Sequence, residues 1–334
     1  MDKSTIIDVA KLANTSKSTV SRYLNGYKVK KETKEALDRA IRELNYHPNA
    51  NARRLVKNNT QVIGIVVDDI ANIFYADILR GIESVLNSYG YRCAYYSRTS
   101  NYQGEFGFMD LANEGEVDGL ILVSFLKRSQ EMLDEVKKLA IPIVLIGDAD
   151  YDSGVFSVDV NNELGISELV HYLYRIGHRN IAYINGPEHF SASYWRKKGY
   201  ENTLKELGLS YKESWIIDSD WTKAGGHKAM SELLAFKDIT AVVSSNDEMA
   251  IGALLYASEL GFHVPRDLSI VGFDDTEVSK WVYPPLTTVK QPLHPMGEKA
   301  ATGLIAKLKG EQDIQEQRIL IDPKLVVRQS CRNL

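Results

Sequence analysis

The sequence predicts an N-terminal all-α helix-turn-helix head followed by an α/β core of two doubly wound parallel-sheet subdomains. Three observations carry that reading. Residues 5–25, TIIDVAKLANTSKSTVSRYLN, hold two amphipathic helical stretches separated by a short turn. From Gln61 onward, short apolar runs alternate strictly with helical stretches, the pattern of parallel sheets covered by helices. Charge divides the same way: residues 1–60 hold 13 Lys and Arg against 6 Asp and Glu, leaving 27 against 38 for the rest. A basic head on an acidic body fits affinity for nucleic acid confined to the head; on charge alone an ordinary solvated basic face is the other reading.

In the first helix Ile6, Val9, Ala10 and Ala13 recur at three- and four-residue spacing and form a buried stripe. Asn14-Thr15 interrupts that stripe, and Asn is among the few residues that tolerate left-handed backbone after a helix. Ser16 restarts the pattern as an N-cap. In the second helix Val20 and Leu24 face inward, which leaves Lys17, Ser18, Ser21 and Arg22 outside, donors suited to phosphates and base edges. Gly26 ends it. A third helix is predicted from about Lys31 to Leu44, with Ala36, Leu37, Ala40, Ile41 and Leu44 on one face, and Pro48 closes the head.

The next stretch, HPNANARRLVKNN, is too short to be a stable helix alone. Asn49 can cap a helix from Ala50 to Val56, in which Arg53 and Arg54 favour phosphates. Leu55 has two readings, an idle residue in a plain linker or a wedge between base steps of the minor groove.

In the core, VIGIVVDDI, YRCAYY, DGLILVS and IPIVLIG are predicted strands, separated by helices such as Ala76–Tyr89 and Ser129–Ala140. The rhythm returns with RNIAYING, SWIIDSD, ITAVVSSN and LSIVGFDD, separated by helices near Leu164–Ile176, Arg196–Leu207 and Glu248–Gly261, and a last strand is read in VVRQS. Ligands of such sheets collect outside the carboxyl ends of the strands. The residues found there are Asn72, Phe74, Tyr75, Asp148, Arg196, Trp221, Asn246, Asp247, Asp274 and Asp275. Acids, an Arg and an Asn that can hold vicinal hydroxyls, with aromatic rings to cover an apolar ring face, describe a site for a sugar-like polyol. Taken singly, Asp and Asn after strands also serve as helix caps.

Several classes are excluded. No apolar run approaches the ~18 residues of a membrane helix, and the N-terminus has no signal-peptide pattern, so a cytoplasmic protein is expected. Cys93 and Cys331 form no metal or disulfide motif and are read as small apolar residues. The first strand is followed by DDIANIFYADILRG, without the G-x-G-x-x-G of a dinucleotide site. Acid pairs such as Asp68-Asp69 and Asp274-Asp275 fit turns or caps better than glycoside hydrolysis, and His178 in IGHRN sits at a turn. Neither an enzyme nor a metal site is expected. An exported sugar-binding protein would share the paired halves but carry a signal peptide and no basic head.

The ordered set DVAKLANTSKSTVSRYLNG, NYHPNANARRL, NIFYADILRGIE, SNDEMAIGAL, LSIVGFDD and PPLTTVKQP resembles the lactose-repressor (LacI/GalR) family of bacterial transcription regulators over essentially the whole chain. The resemblance implies a periplasmic-binding-protein-like core and three regions: residues 1–48 as the head, 49–60 as hinge helix and linker, and 61–334 as the core. Within the core it implies subdomains of approximately 61–160 with 291–320 and 161–290 with 321–334. It places Lys17, Ser18 and Arg22 at base-reading positions and Leu55 at the minor-groove wedge, within a DNA-binding set of Lys17, Ser18, Thr19, Ser21, Arg22, Asn25, Asn51, Arg53 and Leu55. It makes Arg196, Asn246 and Asp274 effector anchors, with Asp148, Phe74, Tyr75 and Trp221 as wall residues beside Asn72. The implied partners are double-stranded DNA bearing a near-palindromic operator, a small carbohydrate-like effector in place of any cofactor, and a second copy of the chain. A tetramer is not expected, because Asn333-Leu334 follows soon after the last strand with no leucine-rich extension. A protein coregulator, a phosphorylated carrier, is the alternative within the family. The chain departs from the family at Asn14-Thr15, where Gly-Val is usual, and a slightly less stable head is expected.

Overall fold

The first two helices of the head are started by side chains that precede them. Thr5 precedes α1 (Ile6–Leu12) in extended backbone; its hydroxyl accepts the Asp8 amide, and the Asp8 carboxylate accepts the Thr5 amide at 2.9 Å. That reciprocal pair satisfies two donors that a helix start leaves open. Asn14 adopts left-handed backbone at φ 47°, and the Ser16 hydroxyl accepts the Thr19 amide at the start of α2 (Lys17–Leu24). The amide of the half-buried Thr15 donates to the Ala10 carbonyl at 2.9 Å, so the turn closes through the main chain without an apolar side chain at this position. With α3 (Lys31–Glu43) the three helices bury Val9, Ala10, Ala13, Val20, Leu37, Ala40 and Tyr46 together. The Tyr23 hydroxyl donates to the Asp38 carboxylate and ties α2 to α3.

The computed structural model describes residues 4–24, 26–46, 59–98, 107–147, 154–311 and 318–334, in two units, Met1–Thr60 and Gln61–Leu334. The expected roles of Asn25, Asn51, Arg53, Leu55 and Asp148 therefore fall outside the described residues.

In the larger unit the chain alternates as its apolar runs predict. The first half contains β1 (Val62–Val67), α4 (Ala76–Ser88), β2 (Arg92–Ser97), α5 (Met109–Asn113), β3 (Gly119–Val123), α6 (Gln130–Lys138), β4 (Ile143–Ile146) and β5 (Ser157–Val160). The second contains α7 (Asn162–Arg175), β6 (Ile181–Asn185), α8 (Ser191–Glu206), β7 (Ile216–Asp218), α9 (Lys223–Leu233), β8 (Ala241–Ser244), α10 (Asp247–Glu259), β9 (Ser269–Val271) and β10 (Thr288–Lys290). The chain then returns to the first half with α11 (Leu293–Leu308) and β11 (Arg318–Ile321), and to the second with β12 (Lys324–Val326).

The first sheet runs β11-β5-β4-β3-β1-β2 and the second β7-β6-β8-β9, every pairing parallel. Parallel sheets must be covered on both faces, and these are. Alternate residues of β1 and β3 point to opposite sides: Ile65, Val67, Ile121 and Val123 pack on α4 and α11, while Val66, Leu120 and Leu122 pack on α5 and α6. In the second half α9 and α10 cover one face and α7 and α8 the other. β10 and β12 form a separate antiparallel ribbon.

Helices α4 and α11 touch backbone to backbone. A methyl group built on Gly81 would lie 2.2 Å from the His294 carbonyl oxygen, and one on Gly297 would lie 2.1 Å from that of Ile78. Two glycines at one crossing let the helices approach more closely than ordinary side chains permit.

The structure departs from the sequence reading in three places. α8 begins at Ser191, not Arg196, because the Ser191 amide donates to the Phe125 carbonyl of the other half at 3.1 Å and fixes the helix start five residues earlier. The VVRQS run is a strand only to Val326. Beyond it Thr287 donates its amide to the Ser330 hydroxyl and Ile270 donates to the Ser330 carbonyl, so one side-chain hydroxyl stands in for part of a ladder. β5, β10, β11, α5, α9 and α11 are absent from the sequence reading.

Candidate nucleic-acid interface and effector site

On the head, burial of Val20 on one side of α2 leaves Lys17, Ser18 and Arg22 exposed on the other, with Thr19 and Ser21 half-buried. The Ser16 hydroxyl lies 2.8 Å from that of Ser18 and 2.9 Å from that of Thr19. Thr19 thus belongs to the helix start, whereas Lys17 and Arg22 present charge to solvent at the outer face. A helix with its inner side packed and cations on its outer side can enter a major groove.

In the core, the residues after the strands divide into two groups. In the first half, Asn72 is exposed and its side chain accepts the Phe74 amide at 3.0 Å, a turn cap. Phe74, Tyr75 and Phe125 form an aromatic wall with ring centres 5.6–6.3 Å apart. Tyr75 is 6% exposed and donates its hydroxyl to Asp68, which also accepts from Ser124 and pairs with Arg98. It is a core residue at the wall's base more than an open contact.

In the second half the structure brings Arg196, Asp274, Asn246 and Trp221 together. Arg196 rises from the second turn of α8 and is 5% exposed. Its Nε donates to the Asn162 side chain at 2.7 Å, its Nη1 donates to the Ser245 carbonyl at 2.5 Å, and Nη1 lies 3.7 Å from the Asp274 carboxylate. The guanidinium stacks 3.8 Å from the Phe273 ring centre and 5.6 Å from that of Trp221. Asp274 holds left-handed backbone, φ 121°, and accepts from Gln291 at 2.6 Å. Asn246 caps α10 by accepting the Met249 amide at 2.8 Å and donates to the Trp221 carbonyl at 3.0 Å. It is therefore a helix cap that also holds the Trp221 main chain. Trp221 lies over Gly186, where any Cβ would strike the indole at 2.2 Å, and meets Phe190 edge-on at 5.9 Å. Phe190 also packs on the core of the first half, so the two aromatic groups are linked through it.

Residues that sequence reasoning missed complete this cluster. Asn162, Ser245 and Gln291 hold Arg196 and Asp274, and each follows a strand, two of them strands that went unrecognised. Asn185 Oδ1, Ser193 Oγ and Gln291 Oε1 are buried polar atoms with no hydrogen-bond partner. Buried polar atoms ordinarily have partners, and unspent ones suit a hydrogen-bonding ligand.

Electrostatics set the pair apart. Burial raises the Asp274 carboxyl above its ordinary range and the Arg196 charge opposes the rise. Burial also raises neighbouring Asp247, with the Asp274 charge adding to it, although Asp247 accepts the Thr276 amide and the hydroxyls of Thr276 and Thr288. Burial lowers Arg196. Such shifts mark a desolvated polar cluster that an incoming hydroxyl-rich group can rearrange.

Among the described residues, no group of three His, Cys, Asp or Glu side chains is disposed to hold a metal ion, and no helix is long and apolar enough to cross a membrane. Residues 5–49 match the family described as bacterial regulatory proteins, lacI family, and residues 170–331 match the periplasmic binding protein-like domain. The chain is 34% identical to catabolite control protein A of Priestia megaterium, over 98% of this chain and 99% of that protein. It is also 34% identical to the HTH-type transcriptional repressor CytR of Escherichia coli (strain K12), over 99% and 97%. Among solved structures it superposes on the lac repressor dimer bound to operator and the anti-inducer ONPF with a TM-score of 0.88 at 26% identity, over 99% and 100% of the two chains. It superposes on the transcriptional regulator CelR in complex with cellobiose at 0.72 and 32% identity, over 98% and 99%. The basic head and paired α/β halves are thus those of a DNA-binding transcriptional regulator, and the chain belongs to the LacI family of bacterial regulatory proteins.

Proposed function

We infer that this regulator is a homodimeric repressor of carbohydrate-utilisation genes whose operator affinity is set by a small sugar-like effector bound between the two halves of the core. The observation that carries the effector reading is the buried Arg196–Asp274 pair, stacked on Phe273 and flanked by Trp221, with Gln291, which holds Asp274, keeping an unspent oxygen. A guanidinium and a carboxylate can each bind two hydroxyls, and the indole can cover the apolar face of a sugar ring. CelR in complex with cellobiose and the lac repressor with ONPF and operator support the reading by likeness.

Two heads of a dimer place α2 in successive major grooves of a near-palindromic operator, with Lys17, Ser18 and Arg22 toward the bases and Leu55 as the minor-groove wedge. A second copy covers large apolar side chains that this chain leaves in water, among them Ile73, Trp281 and Tyr283 at 88%, 79% and 93% exposure. A coupling of about 1–3 kcal/mol between effector and operator changes DNA affinity roughly 5–150-fold. A thermal-shift screen of sugars and sugar phosphates, followed by gel shift on DNA upstream of its own gene, tests the whole reading. A sugar that stabilises the protein and alters the shift is expected; a panel that does neither overturns the effector assignment.

A further inference from the structure

Two loops of the core meet across its halves. One joins β3 to α6 and carries Phe125, Leu126 and Lys127; the other joins β6 to α8 and carries His189, Phe190 and, at the helix start, Ser191. The Lys127 amide donates to the His189 carbonyl at 2.9 Å, the Ser191 amide donates to the Phe125 carbonyl at 3.1 Å, and Leu126 bridges Phe190 in antiparallel fashion between them. The Ser191 hydroxyl adds a longer bond to the same Phe125 carbonyl, 3.4 Å. The Ser191 amide is one of those that a helix start leaves open, and here it is spent on the opposite half. Phe190 covers this rung: its ring packs on the core of the first half and meets Trp221 edge-on at 5.9 Å. Five residues after Ser191 the same helix carries Arg196, so the loop pair adjoins the effector cluster.

The chain itself crosses between the halves after β5, β10 and β11. Two of those crossings are tied side by side, the Asn161 amide donating to the Ile321 carbonyl at 3.0 Å and the Asn161 side chain to Asp322 at 3.0 Å. In the first sheet β3 lies two strands in from β5, about 10 Å at the ordinary strand spacing. A turn of one half against the other about these crossings therefore parts the two loops while the crossings hold. We propose that the loop pair is a latch: it keeps the halves in the arrangement seen here, and its release changes operator affinity. The proposal rests on the reading that the arrangement of the halves sets that affinity. A main-chain hydrogen bond is favoured over the bonds to water that replace it by roughly two- to tenfold. Two of them bias a two-state core without fixing it, which leaves room for a ligand to override them.

Ser191→Pro removes the donors that Ser191 sends across. Ser191 is the first residue of α8, where proline is well accommodated, and Phe190 before it already holds φ −97° and ψ 135°, the extended backbone that a following proline demands. Hydrogen exchange of the full chain is expected to show the Lys127 amide, in the other half, exchanging roughly two- to tenfold faster while the interior of α8 stays unchanged. Gel shift on DNA upstream of its own gene is expected to show operator affinity altered by a similar factor. Leu126→Cys with Phe190→Cys works in the opposite sense. These two residues form a non-hydrogen-bonded antiparallel pair, whose Cα atoms ordinarily lie ~4.5 Å apart, within disulfide range. Oxidation is expected to close the disulfide and to shift operator affinity the other way, with the reduced form as control. A disulfide that does not form, or a Lys127 amide indifferent to Ser191→Pro, would overturn the latch. A latch that opens and locks with operator affinity unmoved, or moved the same way by both variants, would overturn its control of DNA binding.

Discussion

Arg22 and Asp274 show how surroundings decide what a charge is for. Arg22 is exposed on the outer face of α2 with no packing role, so Arg22→Ala is expected to cost ~1–3 kcal/mol in operator binding and to relax preference at one base pair if it reads a guanine. Competition gel shifts with single-base operator variants measure this, and an equal loss on all sequences would make it a phosphate contact. Asp274 is buried against Arg196, and Asp274→Ala is expected to abolish the effector response while operator binding persists; a retained response would move the effector elsewhere. The buried acids also give stability a sign. Asp247 and Asp274 are both raised above the ordinary carboxylate value of 3.8, so the folded state holds protons that the unfolded chain releases. Their contribution is complete below 3.8 and is lost as pH rises through the raised values. Unfolding followed from about pH 4 to 8 is expected to show core stability falling with pH from this source, and Asp247→Asn to flatten the fall. Asn246 and Asp274 could be picked from sequence because each is a polar residue beyond an apolar run. Asn162 and Gln291 could not, since β5, SVDV, is interrupted by Asp159 and β10, TVK, holds a single apolar residue, so neither presents an apolar run.

At the scale of elements, what could be read depended on how local the cause was. The three head helices follow from periodicity, the first two also from caps within a few residues, and even the unusual Asn14 turn is explained by one side chain's tolerance of left-handed backbone. β11 is different: Arg318 pairs with Ser157, and nothing within its own four residues states that partner. The start of α8 is set by a carbonyl of the opposite half, which no local pattern records. The α4–α11 crossing gives a direct test. Gly297→Ala sets a methyl against the Ile78 carbonyl, and such overpacking is expected to cost about 1–3 kcal/mol. Urea unfolding measures it, and an unchanged midpoint would mean that the helices separate freely.

For the whole molecule, the exposed rings of Trp281 and Tyr283 bear on assembly. Replacing Trp281→Glu together with Tyr283→Asp is expected to yield a monomer by sedimentation, with operator affinity lost because two half-sites no longer bind as one unit. A dimer that survives would place the contact on another surface. The route of the chain matters in a further way, which concerns the order in which the protein is made. The described part of the head ends at Tyr46 and has its own core. The first half of the larger unit lacks Met296, Ala300, Ala301 and Leu304 of α11, and the edge strand β11, until nearly the entire chain has left the ribosome. During synthesis at ~5–20 residues per second, the nascent protein therefore carries a folded DNA-reading head for many seconds before either half of the core can close.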